Sequence, residues 1–202
     1  MEETLQEKDL GAGGTVPSAN KGRSATLVPH IVAIVAAVAL VAAFFLPYGS
    51  ANEDYRESVA GHEDAQYVEG IDITVGDMLD ISLLDYARGN LELGDYTNSE
   101  TGTAAGIGYT LYAGIYIAAA VLPAIALLFA IFKKAIPTAI FGLLTLGLAH
   151  LIHWDFADRA ILPSSTHDWG IASTVFLVFS IVLVAAAIWL TVEKRREKGR
   201  RA

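Results

Sequence analysis

Four long apolar stretches, separated by polar segments, dominate the pattern of hydrophobic positions along the chain. A helix needs about 20 predominantly apolar residues to cross the roughly 30 Å hydrocarbon core of a bilayer. Four stretches reach this length without any Asp, Glu, Lys or Arg: residues 27–47, 108–132, 136–154 and 169–192. The pattern therefore predicts an all-α membrane protein, a bundle of four transmembrane helices.

The longest polar segment, residues 48–107, separates the first two apolar stretches. Within it, residues 71–75 alternate apolar and polar side chains, which predicts a short strand. Residues 77–88 carry apolar side chains among acidic ones and precede Gly89, which predicts a short amphipathic helix able to lie on the membrane surface or cap the bundle. The rest of the segment is polar and is expected to be loosely ordered.

The remaining segments are shorter. Residues 1–26 contain a Gly-rich run, Pro17 and Ser18, and such a composition predicts a disordered tail because it cannot bury a core. Residues 155–168 form a loop between the third and fourth spans, and residues 193–202 form a basic tail.

The lysines and arginines predict the orientation. Lys133 and Lys134 occupy the turn between the second and third spans, and the tail 193–202 is strongly basic. Basic residues favour the cytoplasmic side, so we expect a multi-pass protein of the cell membrane with both termini cytoplasmic and residues 48–107 and 155–168 outside. As an alternative, the first apolar stretch is a signal peptide cleaved near Gly49. Its length and the long segment before it favour an uncleaved helix.

Charge separates the outer segment from the rest of the chain. The formal net charge is -8, and residues 48–106 alone hold thirteen acidic residues and only two arginines. Such a surface would attract cations or basic partners, although its acids match no calcium-binding loop pattern. Nucleic acid is not an expected partner, because the basic clusters only flank apolar helices.

Composition and motifs exclude several kinds of chemistry. The chain has no cysteine, which excludes disulfides and thiolate sites. We find no phosphate-binding loop, no dinucleotide-binding glycine pattern, no H-E-x-x-H and no G-x-S-x-G motif. The sequence therefore predicts a protein that is not an enzyme.

Three histidines near the outer ends of the last two spans are candidate metal ligands. His150 and His153 share one face of the third span, and His167 precedes the fourth. Because imidazole suits zinc, copper and iron, the set His150, His153 and His167 predicts a site for a transition metal or haem. Alternatively, His153 is solvated and His150 hydrogen-bonds a neighbouring helix. A polar residue as deep as His150 is expected to face the bundle or a cavity.

The layout of four spans, with both ends inside and a long first outer loop, resembles in outline the claudin-type tetraspan proteins. The tryptophan and cysteine motifs that define the outer loop of that group are absent from residues 48–107. The resemblance therefore implies no shared function.

Small residues recur along all four spans and predict close helix packing, within the bundle or against another protein. The leading hypothesis is an accessory or stabilising subunit that acts by contact with a membrane-protein partner or as a homo-oligomer. The first alternative is a protein that binds a metal or haem through the outer-end histidines. The second is a small oligomeric transporter or channel, which the absence of intramembrane carboxylates makes the weakest.

Overall fold

The structure, a computed structural model, describes residues 21–67, 73–101 and 103–199, most of them helical. In chain order the elements are α1 Lys21–Ala43, β1 Pro47–Ala51, α2 Glu53–Val59, a 3-10 turn Gly76–Met78, β2 Asp80–Ser82, α3 Leu83–Thr101, α4 Thr103–Ile131, α5 Ala135–Asp158, β3 His167–Trp169 and α6 Ile171–Gly199.

Four of these helices are long and apolar enough to cross a membrane. The candidate spans are Thr26–Ala43 in α1, Gly106–Ile131 in α4, Ala135–Asp158 in α5 and Ile171–Gly199 in α6. They pack as a closed ring in which α1 and α5 each contact both α4 and α6. The prediction of four apolar helices in a bundle is therefore confirmed.

The bundle has small side chains inside and large apolar side chains outside. Ala33, Ala37 and Ala126 are fully buried, whereas Leu111 and Leu144 are more than half exposed. Lipid is as apolar as leucine, so helices in a membrane associate through close backbone approach rather than by hiding their large side chains. This distribution is the one expected for helices that are surrounded by hydrocarbon.

Buried serine and threonine hydroxyls of the bundle bond to backbone carbonyls three or four residues earlier in the chain. The hydroxyls of Thr138, Thr145 and Ser173 donate to the carbonyls of Lys134, Phe141 and Gly170 at 2.9, 2.8 and 2.7 Å. Because these donors need no partner on another helix, three polar residues can occupy the packed interior without an unsatisfied group.

A tight turn joins α4 to α5. Lys133 adopts the left-handed backbone conformation, with φ of 57°. The amides of Lys133 and Lys134 donate to the carbonyls of Ala130 and Phe129, both at 2.8 Å. These bonds satisfy the last carbonyls of α4 and reverse the chain, as in other helix ends closed by a left-handed residue. The turn places α4 and α5 side by side as an antiparallel pair.

The segment between α1 and α4 is more ordered than the sequence predicted. The predicted amphipathic helix at 77–88 is wrong, because the 3-10 turn and β2 occupy its first half and α3 starts only at Leu83. Ser82 and Asp85 fix that start: the Asp85 carboxylate accepts from the Ser82 amide at 2.9 Å, and the Ser82 hydroxyl accepts from the Asp85 amide at 3.1 Å. This reciprocal cap satisfies two helix-end donors.

α3 does not end at Gly89 but continues to Thr101 and packs along α4. Two glycines allow this close approach. A Cβ on Gly106 would overlap the side chain of Asn98, and a Cβ on Gly94 would lie 3.4 Å from the Gly106 carbonyl oxygen. Contact with α4, rather than the amphipathic pattern, therefore accounts for the length of α3.

The predicted strand at 71–75 is seen only in part. Ile71 and Asp72 lie outside the described residues, and Thr74 forms an isolated antiparallel bridge with Gln66. Within the described ranges, three strands lie in other segments, for which the sequence predicted no strand.

Several other predicted bounds differ from the observed ones. α1 begins at Lys21, so the last residues of the predicted tail 1–26 are helical, while residues 1–20 lie outside the described part of the chain. α4 begins at Thr103 rather than at residue 108, and α5 continues to Asp158 into the predicted loop 155–168. α6 begins at Ile171 and includes residues 193–199 of the predicted tail 193–202.

Candidate functional site

The three strands form one small antiparallel sheet at one end of the bundle, in the order β2-β1-β3. The central strand β1 pairs Gly49 with Ile81 of β2 and with Trp169 of β3. β1 follows α1 closely, β2 precedes α3 directly and β3 ends just before α6, so the sheet fixes three helices at one level. We call this the sheet end, and the opposite end, with Lys133, Lys134 and Lys194, the basic end.

The turn from β3 into α6 depends on Gly170. A Cβ at this position would overlap the carbonyl of Pro47 in β1. The Gly170 amide donates to the Tyr48 carbonyl at 2.8 Å, which extends the pairing of β1 into this turn. The absence of a side chain at Gly170 therefore lets α6 start directly against the sheet.

An aromatic cluster lies beneath the sheet, with Tyr48 at its centre. The ring of Tyr48 is edge-on to Phe156, Trp169 and Phe176, at centroid distances of 5.4, 6.0 and 6.4 Å. Phe156 also contacts Tyr86 of α3 at 4.8 Å. Edge-to-face aromatic pairs at these distances are favourable beyond the area they bury. The cluster thus joins β1, α3, α5, β3 and α6.

The phenols of this cluster are poorly suited to acid–base chemistry at neutral pH. Burial raises the pKa of Tyr48 far above its usual value, and the neighbouring phenols of Tyr86 and Tyr116 raise it further. Burial likewise raises the pKa of Tyr86. The Tyr48 hydroxyl has no hydrogen-bond partner in the part of the chain that the structure describes. The cluster is therefore a buried, neutral packing centre.

A polar group adjoins the cluster on the side of α4 and α5. The Arg159 guanidinium donates to the Asp155 carboxylate and lies over the ring of Tyr112, 4.4 Å from its centroid. Below it, a side groove of about 320 Å³ between the two helices is lined by apolar residues such as Leu111 and Leu151, with Asp155 at its polar end. The groove suits an apolar chain, but the Arg159 guanidinium beside it is already paired with Asp155.

The structure gives the three predicted metal ligands separate surroundings. The ring of His153 stacks on Trp169 at a centroid distance of 3.9 Å. The Nε2 atom of His167 lies 2.6 Å from the carbonyl oxygen of Met78, so it carries a proton and donates. Its Nδ1 atom lies 2.9 Å from the Thr166 hydroxyl, so both ring nitrogens have a hydrogen-bond partner. A metal at His167 would have to displace one of these bonds.

His150 does not face the bundle, contrary to the expectation from its depth. It is exposed on the outer side of α5. Within the described ranges, no group of three or more His, Cys, Asp or Glu residues is placed to hold a metal ion. A transition-metal or haem site on His150, His153 and His167 thus stays a prediction.

Several carboxylates at the sheet end serve local structure. Asp77 accepts from the amide and hydroxyl of Thr74 at 2.9 and 2.7 Å, and these bonds lower the pKa of Asp77. Asp80 pairs with Arg56 at 2.7 Å, which connects β2 to α2. Because each of these acids faces a donor of its own, the group does not converge on a cation. Binding of a cation or basic partner at this end stays a prediction.

The outer face of α5 carries the exposed imidazole of His150 and, at Gly147, a gap in the side-chain surface that we call the notch. A Cβ on Gly147 would meet no atom within 4 Å, so the helix surface is bare at that point. His150 lies almost one turn further on, and exposed apolar side chains surround the pair: Leu144 is 51% exposed, Leu151 46% and Trp154 57%. His150 precedes the end of α5 at Asp158 by eight residues, or about 12 Å along the axis.

Sequence reasoning named His150 but missed the outward direction of its side chain. The burial pattern of α5 fixes that direction, because Gly142, Thr145, Ala149 and Ile152 form the buried stripe. Those small residues were a usable signal, since small side chains mark the face on which helices pack.

No protein-family model, curated protein or solved structure matches the chain.

Proposed function

We propose that the chain is a non-enzymatic multi-pass protein of the cell membrane that acts as an accessory subunit of a larger membrane complex. Both termini lie in the cytoplasm in this proposal, because α1 begins, α4 turns into α5 and α6 ends at the lysine-rich end of the bundle. The sheet end then lies outside the cell.

The observation that carries the proposal is the exposed imidazole of His150 on a helix whose other exposed side chains, up to residue 157, are apolar. A polar group that faces hydrocarbon without a hydrogen-bond partner costs free energy, so polar residues in spanning helices usually face protein. The bundle of this chain does not cover His150. A partner helix seated on the notch at Gly147 would bring its backbone close and offer His150 a hydrogen bond.

The expected occupant is a transmembrane helix of a different protein. In a two-fold dimer in the membrane, two copies would place their sheet ends side by side. Each copy carries thirteen acidic residues and two arginines over residues 48–106, so the two surfaces would repel each other. A partner with a neutral or basic outer surface avoids this repulsion.

The test is native mass spectrometry of the full chain, extracted in mild detergent from its own membranes. We expect a stoichiometric partner to co-purify. Gly147→Leu should abolish its recovery by filling the notch, and His150→Ala should weaken its binding about 5- to 30-fold, since an interhelical hydrogen bond contributes about 1–2 kcal/mol.

Gly114→Leu is the matched control. Gly114 is also exposed on a spanning helix, and a Cβ added there would meet no atom within 4 Å, but it lies on a different helix, α4. Its substitution should leave the partner bound. Recovery of a lone monomer or homodimer from unmodified membranes would contradict the proposal, and so would equal losses in the two leucine variants.

A further inference from the structure

The basic end holds a pocket that the proposed partner contact does not use. It lies between the α4–α5 turn and the last turns of α6 and has a volume of about 330 Å³. Five basic side chains line it, with no acidic residue among the lining residues: Lys133, Lys134, Lys194, Arg195 and Lys198. A concave site of one charge sign concentrates ions of the opposite sign.

The backbone holds part of this cluster in place. Lys133 and Lys134 lie in the turn after α4, in which Lys133 is left-handed, and the ammonium of Lys194 reaches across from α6 to donate to the Lys133 carbonyl. A carbonyl is neutral, so the charge of Lys194 is not cancelled as it would be by a carboxylate. The contact therefore connects α6 to the turn and keeps the cationic character of the pocket.

The first turn of α5 adds to the positive potential of the pocket. Ala135, Ile136 and Pro137 line the pocket, and Lys134, the residue before the helix, provides no side-chain cap. The start of a helix carries a partial positive charge, which favours a nearby anion.

Another cation of the same helix differs. Arg196 pairs with Glu193 at 3.2 Å and does not line the pocket. The pocket is therefore lined by particular cations of the basic tail and not by all of them.

Apolar side chains continue from the pocket toward the middle of the helices. Ile136 and Ile140 on α5 and Ile188 on α6 are 60%, 52% and 54% exposed. An anion that binds here thus meets apolar surface on one side, which suits a ligand with a phosphate group and hydrocarbon tails.

We propose that this pocket binds the headgroup phosphate of an anionic phospholipid, with the acyl chains along the exposed faces of α5 and α6. Basic pockets between spanning helices on the cytoplasmic side recognise such headgroups. The adjoining apolar surface favours a lipid over free phosphate. The proposal requires only that the four helices lie in a bilayer and is independent of the partner at His150.

The experiment is a titration of the detergent-purified full chain, followed by native mass spectrometry, with phosphatidylglycerol or phosphatidylcholine of identical acyl chains. Phosphatidylglycerol should bind at concentrations at which phosphatidylcholine does not. The double variant Lys134→Gln/Lys198→Gln should weaken phosphatidylglycerol binding about 25-fold, because each charge near the surface contributes about fivefold. Lys194 is kept, since it also connects α6 to the turn.

Arg196→Gln is the matched control and should change binding by less than about twofold, because its charge is already paired. Equal binding of the two lipids would overturn the proposal, as would an Arg196→Gln loss as large as that of the double variant. Displacement of the lipid by soluble glycerol phosphate at similar concentration would identify a free phosphate ligand instead and would also overturn it.

Discussion

At the sheet end, several charged side chains are paired or hydrogen-bonded around a packed aromatic cluster, whereas at the basic end five cations line an open pocket without an acid among its lining residues. Asp80 meets Arg56, Asp155 meets Arg159, and Asp85 caps α3. Lys134 and Lys198 have no such role in the described structure. The difference indicates that these three acids of the sheet end serve stability, while Lys134 and Lys198 of the basic end do not.

The largest expected difference in stability comes from replacing one phenylalanine by alanine at each end of the bundle. Phe156 is fully buried in the aromatic cluster, and Phe132 is 69% exposed at the basic end. Phe156→Ala should lower the free energy of unfolding by about 3–5 kcal/mol, because it leaves a cavity beneath the sheet. Phe132→Ala should change it by less than about 0.5 kcal/mol. Thermal unfolding in detergent, followed by circular dichroism, measures both changes. Similar losses of stability in the two variants would contradict the proposed difference between the ends.

A smaller effect should appear in alkaline solution. The folded-state pKa of Tyr48 and Tyr86 lies above the usual value of 10.0, so the folded state holds these protons more tightly than the unfolded chain. The stability contributed by the protonated phenols is therefore complete below pH 10 and is lost as the pH rises above it. Unfolding temperatures measured on both sides of that pH should show the decline.

Tyr48→Phe is the control for the alkaline effect. Its fold should persist, since the Tyr48 hydroxyl has no partner within the described ranges. The variant should lose stability less steeply above pH 10 than the unmodified chain. An unchanged slope would mean that Tyr48 is accessible to water in the folded protein.

The smallest effect is expected at the basic end. Lys134→Gln/Lys198→Gln should change the free energy of unfolding by less than about 0.5 kcal/mol, because no ion pair or buried contact is removed. The same thermal measurement checks this, in detergent without added lipid. A loss above about 2 kcal/mol would show that these lysines serve the fold, as the charged residues of the sheet end do.

The apolar helices could be predicted because their signal is local and long. About 20 uncharged residues suffice to identify a span, and recurrent small residues indicate a packed face. The same small residues would have shown the direction of His150, because the buried stripe of Gly142, Thr145 and Ala149 leaves it on the outside.

The sheet could not be predicted because its signal is not local. β1 has the sequence PYGSA, in which proline and glycine disfavour a strand, and β2 and β3 have only three residues each. Their pairing depends on the packing of α1, α3 and α6. The start of α3 did carry a signal, since Ser82 and Asp85 have the spacing of a capping box, but the apolar residues before them favoured an earlier helix.

The central position of β1 sets an order of events during synthesis. β1 ends at residue 51, while its partner β3 begins at residue 167, after three of the four candidate spans have been made. Chains grow at roughly 5–20 residues per second, so β1 waits several seconds with one edge unpaired, and unpaired edges invite wrong partners. α1 thus emerges from the ribosome before α4, α5 and α6, yet it gains its final anchor only when the start of α6 arrives.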